Sequence, residues 1–362
     1  METSGDPRVE RLADLLVERS LGVQPGWQVA IQGSLLARPL VEALVVALAR
    51  RGAYPLVRLG AADLDPFPFA TLWARHAPAE LVERLPEVEV HLRETLDARV
   101  ILFSPENVVD GSELAADRRL ALRRAAQPFQ ERVGGLPWVS CPFPTLALAQ
   151  DARLTLAQYA DVFYAACLRD WDAEGERMQR LAERFERAET VRIVGPGTDV
   201  SMVVAGRRFE VDDGHLNMPG GEIFTSPVED SAEGVIELSE YATAFAGNRL
   251  EGVRLEFAGG RVVDASASVG EEFLLAALDT DDGARVLGEL GIGCNEGIPR
   301  HVRQMWFDEK VAGTIHLALG QGFAQCGGTN TSALHWDLVK DLAAGRIELD
   351  GVVVQQDGAW CV

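Results

Sequence analysis

The chain is poor in cysteine, histidine and tyrosine, with five, six and four of them among 362 residues. The cysteines (Cys141, Cys167, Cys294, Cys326 and Cys361) are scattered and form no Cys-x-x-Cys pair. That excludes a zinc ribbon and a disulfide framework, and points to reduced, mostly buried thiols in a cytoplasm. Basic residues are scarce: 34 Lys and Arg face 55 Asp and Glu, for a formal net charge of -21. A polyanion of this kind excludes nucleic acid and an anionic membrane surface as partners. The longest apolar runs, such as 40–49, are too short to span a bilayer. The opening METSGDPRVERL lacks the basic and apolar regions of a signal peptide. There is no Walker motif, and no Gly-x-Gly-x-x-Gly follows a strand, so no nucleotide is assigned.

What remains is an ordinary globular composition, 47% hydrophobic and 25% charged, at a length that suits about two domains. Apolar spacing predicts an amphipathic helix over 7–20, built on Val9, Leu12, Leu15 and Leu16. A strand at 27–31, an apolar helix at 39–51 ending at Gly52, and a strand at 54–59 make a βαβ unit, which implies a parallel sheet. Further buried strands are expected at 100–103 and 138–141, and helices at 68–75, 114–133 and 154–169. Residues 170–189 are dense in charge and helical in period, a connecting helix. Beyond them the chain is richer in glycine and in short β-like segments, at 191–194, 199–204, 207–211 and 253–257. The fold class is therefore α/β with two domains: a parallel α/β layer domain over 1–187 and an α+β domain over 188–362.

The second domain holds the stretch with chemistry in it. Residues 311–340 read VAGTIHLALGQGFAQCGGTNTSALHWDLVK. VAGTIHLAL is apolar and partly β-branched, and SALHWDLV alternates, so both read as strands joined by a Gly-rich connection over 320–330. In a strand, residues two apart share a face. His335 and Asp337 therefore project together, and His316 on a neighbouring strand can join them. Two imidazoles and a carboxylate are ligands for Zn, Mn, Fe or Co. Two glutamates are set beside glycine or among apolar neighbours: Glu222 after Pro219, Gly220 and Gly221, and Glu289 among Val286, Leu287, Leu290 and Ile292. A carboxylate drawn into a core needs a partner or a cation.

The segments MPGGEIFTSP, LGELGIG, EKVAGTIHLALG and SALHWDLV, in this order and with these gaps, resemble the M29 (aminopeptidase T) family of metallopeptidases. LLVERSLGVQPGWQVAIQGS resembles that family's opening, so the resemblance extends over the whole chain. It implies metal ligands at Glu222, Glu289, His316, His335 and Asp337, with Glu289 bridging two divalent ions (Zn, Co or Mn). Three carboxylates and two neutral imidazoles would leave a modest positive charge on that pair. The activity implied is a cytoplasmic metalloaminopeptidase acting on small peptides, with Glu289 as the catalytic proton acceptor, in a homodimer. One departure stands out. Where the family has a catalytic Tyr seven residues after the first His, this chain has Phe323, which has no proton to donate. Tyr241, His301 and His215 are candidate substitutes. The chain also resembles, more distantly, ring-cleaving dihydroxypyridine dioxygenases. On that alternative reading His316, His335 and Asp337 would hold one Fe(II) as a 2-His-1-carboxylate set.

Overall fold

A computed structural model of the chain describes residues 5–60, 67, 69–108, 114–115, 117–119, 121–122, 124–126, 135–238, 243–245 and 248–361. These residues fall into two compact units. The first is Met1–Leu168 with Gly214–Pro219, and the second is Arg169–Asp213 with Gly220–Val362.

The first unit is built on a parallel sheet of β1 (Gln28–Gly33), β2 (Tyr54–Leu59), β3 (Ala98–Phe103) and β4 (Trp138–Pro142), in the order β2-β1-β3-β4. Helix Arg38–Arg50 links β1 to β2 and buries Leu40, Val41, Leu44, Ala47 and Leu48, which realises the expected βαβ unit. The helix expected over 7–20 is α-helical over Pro7–Leu15 and widens to a π-turn over Leu16–Ser20. Within the helix expected at 114–133, described residues from 117 to 126 are helical, and 127–134 lie outside the described residues. Residues 214–219 return to this unit beside β4. There the Ser140 amide donates to the Leu216 carbonyl oxygen and the Met218 amide to that of Ser140, both at 2.8 Å.

The second unit is antiparallel. Its larger sheet joins β5 (Thr190–Gly195), β6 (Thr198–Val203), β9 (Glu233–Leu238), β12 (Val253–Ala258), β13 (Arg261–Ser266), β17 (Arg346–Leu349), β18 (Val352–Gln356) and β19 (Ala359–Trp360). A ribbon pairs β10 (Thr243–Phe245) with β11 (Asn248–Leu250). The smaller sheet joins β7 (Glu210–Asp212), β8 (Glu222–Thr225), β14 (Leu287–Gly293), β15 (Thr314–Gly320) and β16 (His335–Asp341) in the order β16-β15-β14-β8-β7. Side chains of both sheets share one apolar core, with Val191, Ile193, Ile236 and Leu255 from one and Leu290, Ile292, Leu317 and Leu338 from the other.

The charged helix, Trp171–Glu186, is not a connector. Its stripe of Met178, Ala182 and Phe185 is buried in that same core, and the helix packs on β7 and β8. The unit accordingly begins at Arg169 and not at residue 188. Charge density had masked a stripe that repeats at helical spacing. Among the described residues no helix is long and apolar enough to cross a membrane.

Candidate metal centre

The five-stranded sheet has two unlike faces, and the register fixes which side chain goes where. β14 pairs Gly291 with His316 and Glu289 with Ala318 on β15, and Gly293 with Glu222 on β8. β15 in turn pairs Ala318 with Asp337 and Gly320 with His335 on β16. Residues directly opposite in antiparallel strands share a face, as do residues two apart. Glu222, Glu289, His316, His335 and Asp337 therefore all project from one face. Leu290, Ile292, Ile315, Leu317, Trp336 and Leu338 line the other, which is the core side.

Glycine makes the space. A Cβ on Gly291 would lie 1.9 Å from Cε1 of His316, so only glycine at this register position lets the imidazole lie across β14. Gly221, at φ +116°, delivers the chain to Glu222; a Cβ there would meet Cβ of Asn295 at 2.5 Å.

The five side chains form two overlapping triads that share Glu289. Oε1 of Glu289 lies 3.4 Å from Nε2 of His316, which is 3.5 Å from Oε2 of Glu222. Oε2 of Glu289 lies 3.3 Å from Nε2 of His335, which is 3.6 Å from Oδ1 of Asp337. These separations are long for hydrogen bonds. A tetrahedral ion with bonds of about 2.1 Å holds its ligand atoms about 3.4 Å apart, which is the spacing found. Ligand atoms of Glu289, His316 and Asp337 also lie within 4.8 Å of one another. Oε2 of Glu222 and Oδ1 of Asp337 are buried without a hydrogen-bond partner, lone pairs that a cation satisfies. Nδ1 of His335 lies 2.9 Å from the Gln321 carbonyl oxygen and donates to it, leaving Nε2 to bind. The residues present thus fit divalent cations.

The electrostatics show what a cation would replace. Burial alone would raise Glu289, but the facing imidazoles of His316 and His335 outweigh it and hold the carboxyl at about 2. The imidazoles shift in the matching direction. Burial lowers them, yet the facing carboxylates prevail and lift His316 to about 10 and His335 to about 9. Burial pushes Glu222 up to about 8 against the pull of Lys310, and burial with the charge of Glu289 pushes Asp337 up to about 6. Protons and a cation would compete for the same imidazole nitrogens and carboxylate oxygens.

Three residues of the site were not singled out in the sequence, although Glu309 and Lys310 open the segment EKVAGTIHLALG. Lys310 is fully buried, and its Nζ lies 2.9 Å from Oε1 of Glu222 and 3.5 Å from Oδ2 of Asp212, in contact also with Glu309. Burial works against its charge, but these three carboxylates hold the ammonium well above its ordinary pKa. Glu309-Lys310 in sequence looks like a solvated charge pair, and Asp212 arrives from a distant strand. With Asp212 and Glu309 the cluster gathers five carboxylates around one ammonium and two imidazoles.

The position of the missing hydroxyl is also at the site. The Phe323 ring centroid lies 5.3 Å from that of His335 and 5.2 Å from that of Phe224. The Phe323 amide donates to Oγ of Ser226 at 2.8 Å. Of the candidate substitutes, His301 pairs with the buried Asp308, Nδ1 to Oδ2 at 2.8 Å. His215 belongs to the other unit, and Tyr241 lies outside the described residues.

Residues 5–360 match the family described as Thermophilic metalloprotease (M29). The chain belongs to this M29 family. Several proteins named aminopeptidases resemble it over most of its length. Aminopeptidase 2 of Geobacillus stearothermophilus is 24% identical over 409 aligned residues, covering 96% of this chain and 94% of the relative. The structure of wild-type AmpT from Thermus thermophilus superposes with a TM-score of 0.82 at 25% identity, over 98% of this chain and 99% of that one. The 2,5-dihydroxypyridine dioxygenase of Pseudomonas putida KT2440 shares the fold at a TM-score of 0.62 and 14% identity, over 98% of this chain and 97% of that one. Glu289 lies between the imidazoles of His316 and His335, one oxygen toward each.

Proposed function

We propose that the chain is a metal-dependent aminopeptidase whose two triads each hold one divalent cation, with Glu289 shared between them. The observation that carries this reading is the split of Glu289: one oxygen faces His316 and the other faces His335. Glu222 and His316 complete one pocket, and His335 and Asp337 the other. Cations held by these residues would supply a Lewis acid for the scissile carbonyl and would lower the pKa of the attacking water.

The chain's own groups do the rest. Glu289 is the acceptor we assign for the water's proton, which it returns to the leaving nitrogen. Glu309 lies outside both triads and its side chain keeps 14% exposure; we assign it the substrate's α-ammonium, which makes the enzyme an exopeptidase. Phe323 supplies an apolar wall beside His335. We place the enzyme in the cytoplasm, as its free thiols suggest, and propose a homodimer. The exposed apolar residues Tyr54, Leu56, Val57 and Leu59 on edge strand β2 support a second copy.

The test is release of N-terminal residues from unblocked peptides by protein loaded with Zn, Co or Mn, with N-acetylated peptides as controls. Turnover of the unblocked set alone is expected. No turnover with any of the three metals across the panel would overturn the proposal. Sedimentation at micromolar concentration checks the dimer; a monomer alone would refute it.

A further inference from the structure

Lys310 is fully buried and in contact with the proposed ligand Glu222. An ammonium sealed from water is costly unless its partners hold it. Here it meets Glu222, Asp212 and Glu309. The contact with Glu222 is specific: Nζ takes Oε1, while Oε2 faces His316. The carboxylate is thereby divided, one oxygen toward the lysine and one toward the cation pocket.

The backbone around this contact is tied as well. The Asn295 amide donates to the Lys310 carbonyl oxygen at 2.8 Å. Nδ2 of Asn295 donates to the Gly220 carbonyl oxygen at 2.9 Å. The Cys294 amide donates to that of Gly221 at 2.7 Å. Asn295 thus fastens the segment carrying Lys310 to the turn that carries Glu222. Side chain and main chain fix the same distance twice.

We propose that Lys310 is a positioning residue that makes Glu222 a one-oxygen ligand for the cation nearer His316. This rests on the two-cation reading above. It also makes a statement about sign. If Lys310 acted only through its charge, removing it would relieve repulsion and tighten cation binding. If it positions Glu222, removing it frees the carboxylate to turn and loosens that cation. Loss of an outer partner of a metal ligand typically weakens affinity by about 10–100-fold.

The experiment is a chelator-competition titration of the full chain with Zn and with Co, combined with elemental analysis and the visible spectrum of the Co form. In Lys310→Met, one of two cations should lose about 10–100-fold in affinity. The other should be unchanged, and the Co spectrum should lose one component. Should Lys310→Met fail to fold, Lys310→Met with Asp212→Asn removes the buried pair together and is read the same way. Two cations held at wild-type or tighter affinity by a folded variant overturn the proposal. Wild-type protein that holds a single cation would overturn the two-cation reading instead. The Lys310 assignment would then be decided by whether that single affinity falls or rises in the variant.

Discussion

Gly291 on β14 lies directly opposite His316 on β15, and the imidazole occupies the volume that any side chain at 291 would need. Gly291→Ala should therefore displace His316 and cost about 1–3 kcal/mol as an overpacked site. Cation binding in the Glu222 pocket should go with it. Thermal melting with and without cation checks both effects; a variant that binds two cations normally contradicts the geometry.

The two pockets should empty one at a time. Glu222→Ala removes a ligand from the His316 end, and Asp337→Ala removes one from the His335 end. Elemental analysis should read two cations per chain in the wild type and one in each variant, with the fold intact by circular dichroism. One iron in all three proteins would favour the mononuclear alternative.

Stability without cation should fall with rising pH. His316 and His335 are held at about 10 and about 9, above their ordinary 6.5. Between these values the folded chain binds more protons than the unfolded chain, so the slope of stability with pH is negative. The contribution is complete below 6.5 and lost above about 10. Cations compete for the same nitrogens, so the gain in Tm from added cation should grow between about pH 6 and about pH 9. A gain that shrinks over that range would contradict the protonated cluster.

Phe323→Tyr would return a hydroxyl beside His335, where the ring lies now. Donors aimed at a developing oxyanion are worth about 10²–10³ in kcat. A rise of at least about tenfold in kcat, a fraction of that effect, with KM little changed is expected on unblocked peptides. Unchanged kcat would mean that another group already fills the role.

The pattern of residues one strand at a time was legible, and the meeting of strands was not. His335 and Asp337 could be assigned to one face because alternation is a local property, and VAGTIHLAL announced a strand by its β-branched apolar run. Glu222 and Glu289 drew attention through their glycine and apolar settings. Lys310 did not, because its burial is set by Asp212 and Glu222, which reach it from strands β7 and β8. The helix Trp171–Glu186 was recognised, but its charges hid the stripe that joins it to the second unit. The return of 214–219 to β4 left no trace in composition.

The register of β14 against β15 has a consequence for folding. A slip of one residue would turn every side chain of β15 over, sending His316 into the layer of Leu317 and Leu319 and Leu317 out among the carboxylates. Such a sheet keeps its hydrogen bonds but has no place for a cation. Cation binding there would thus reward one alignment of the strands over its neighbours, so that a cation captured during folding would proofread the sheet.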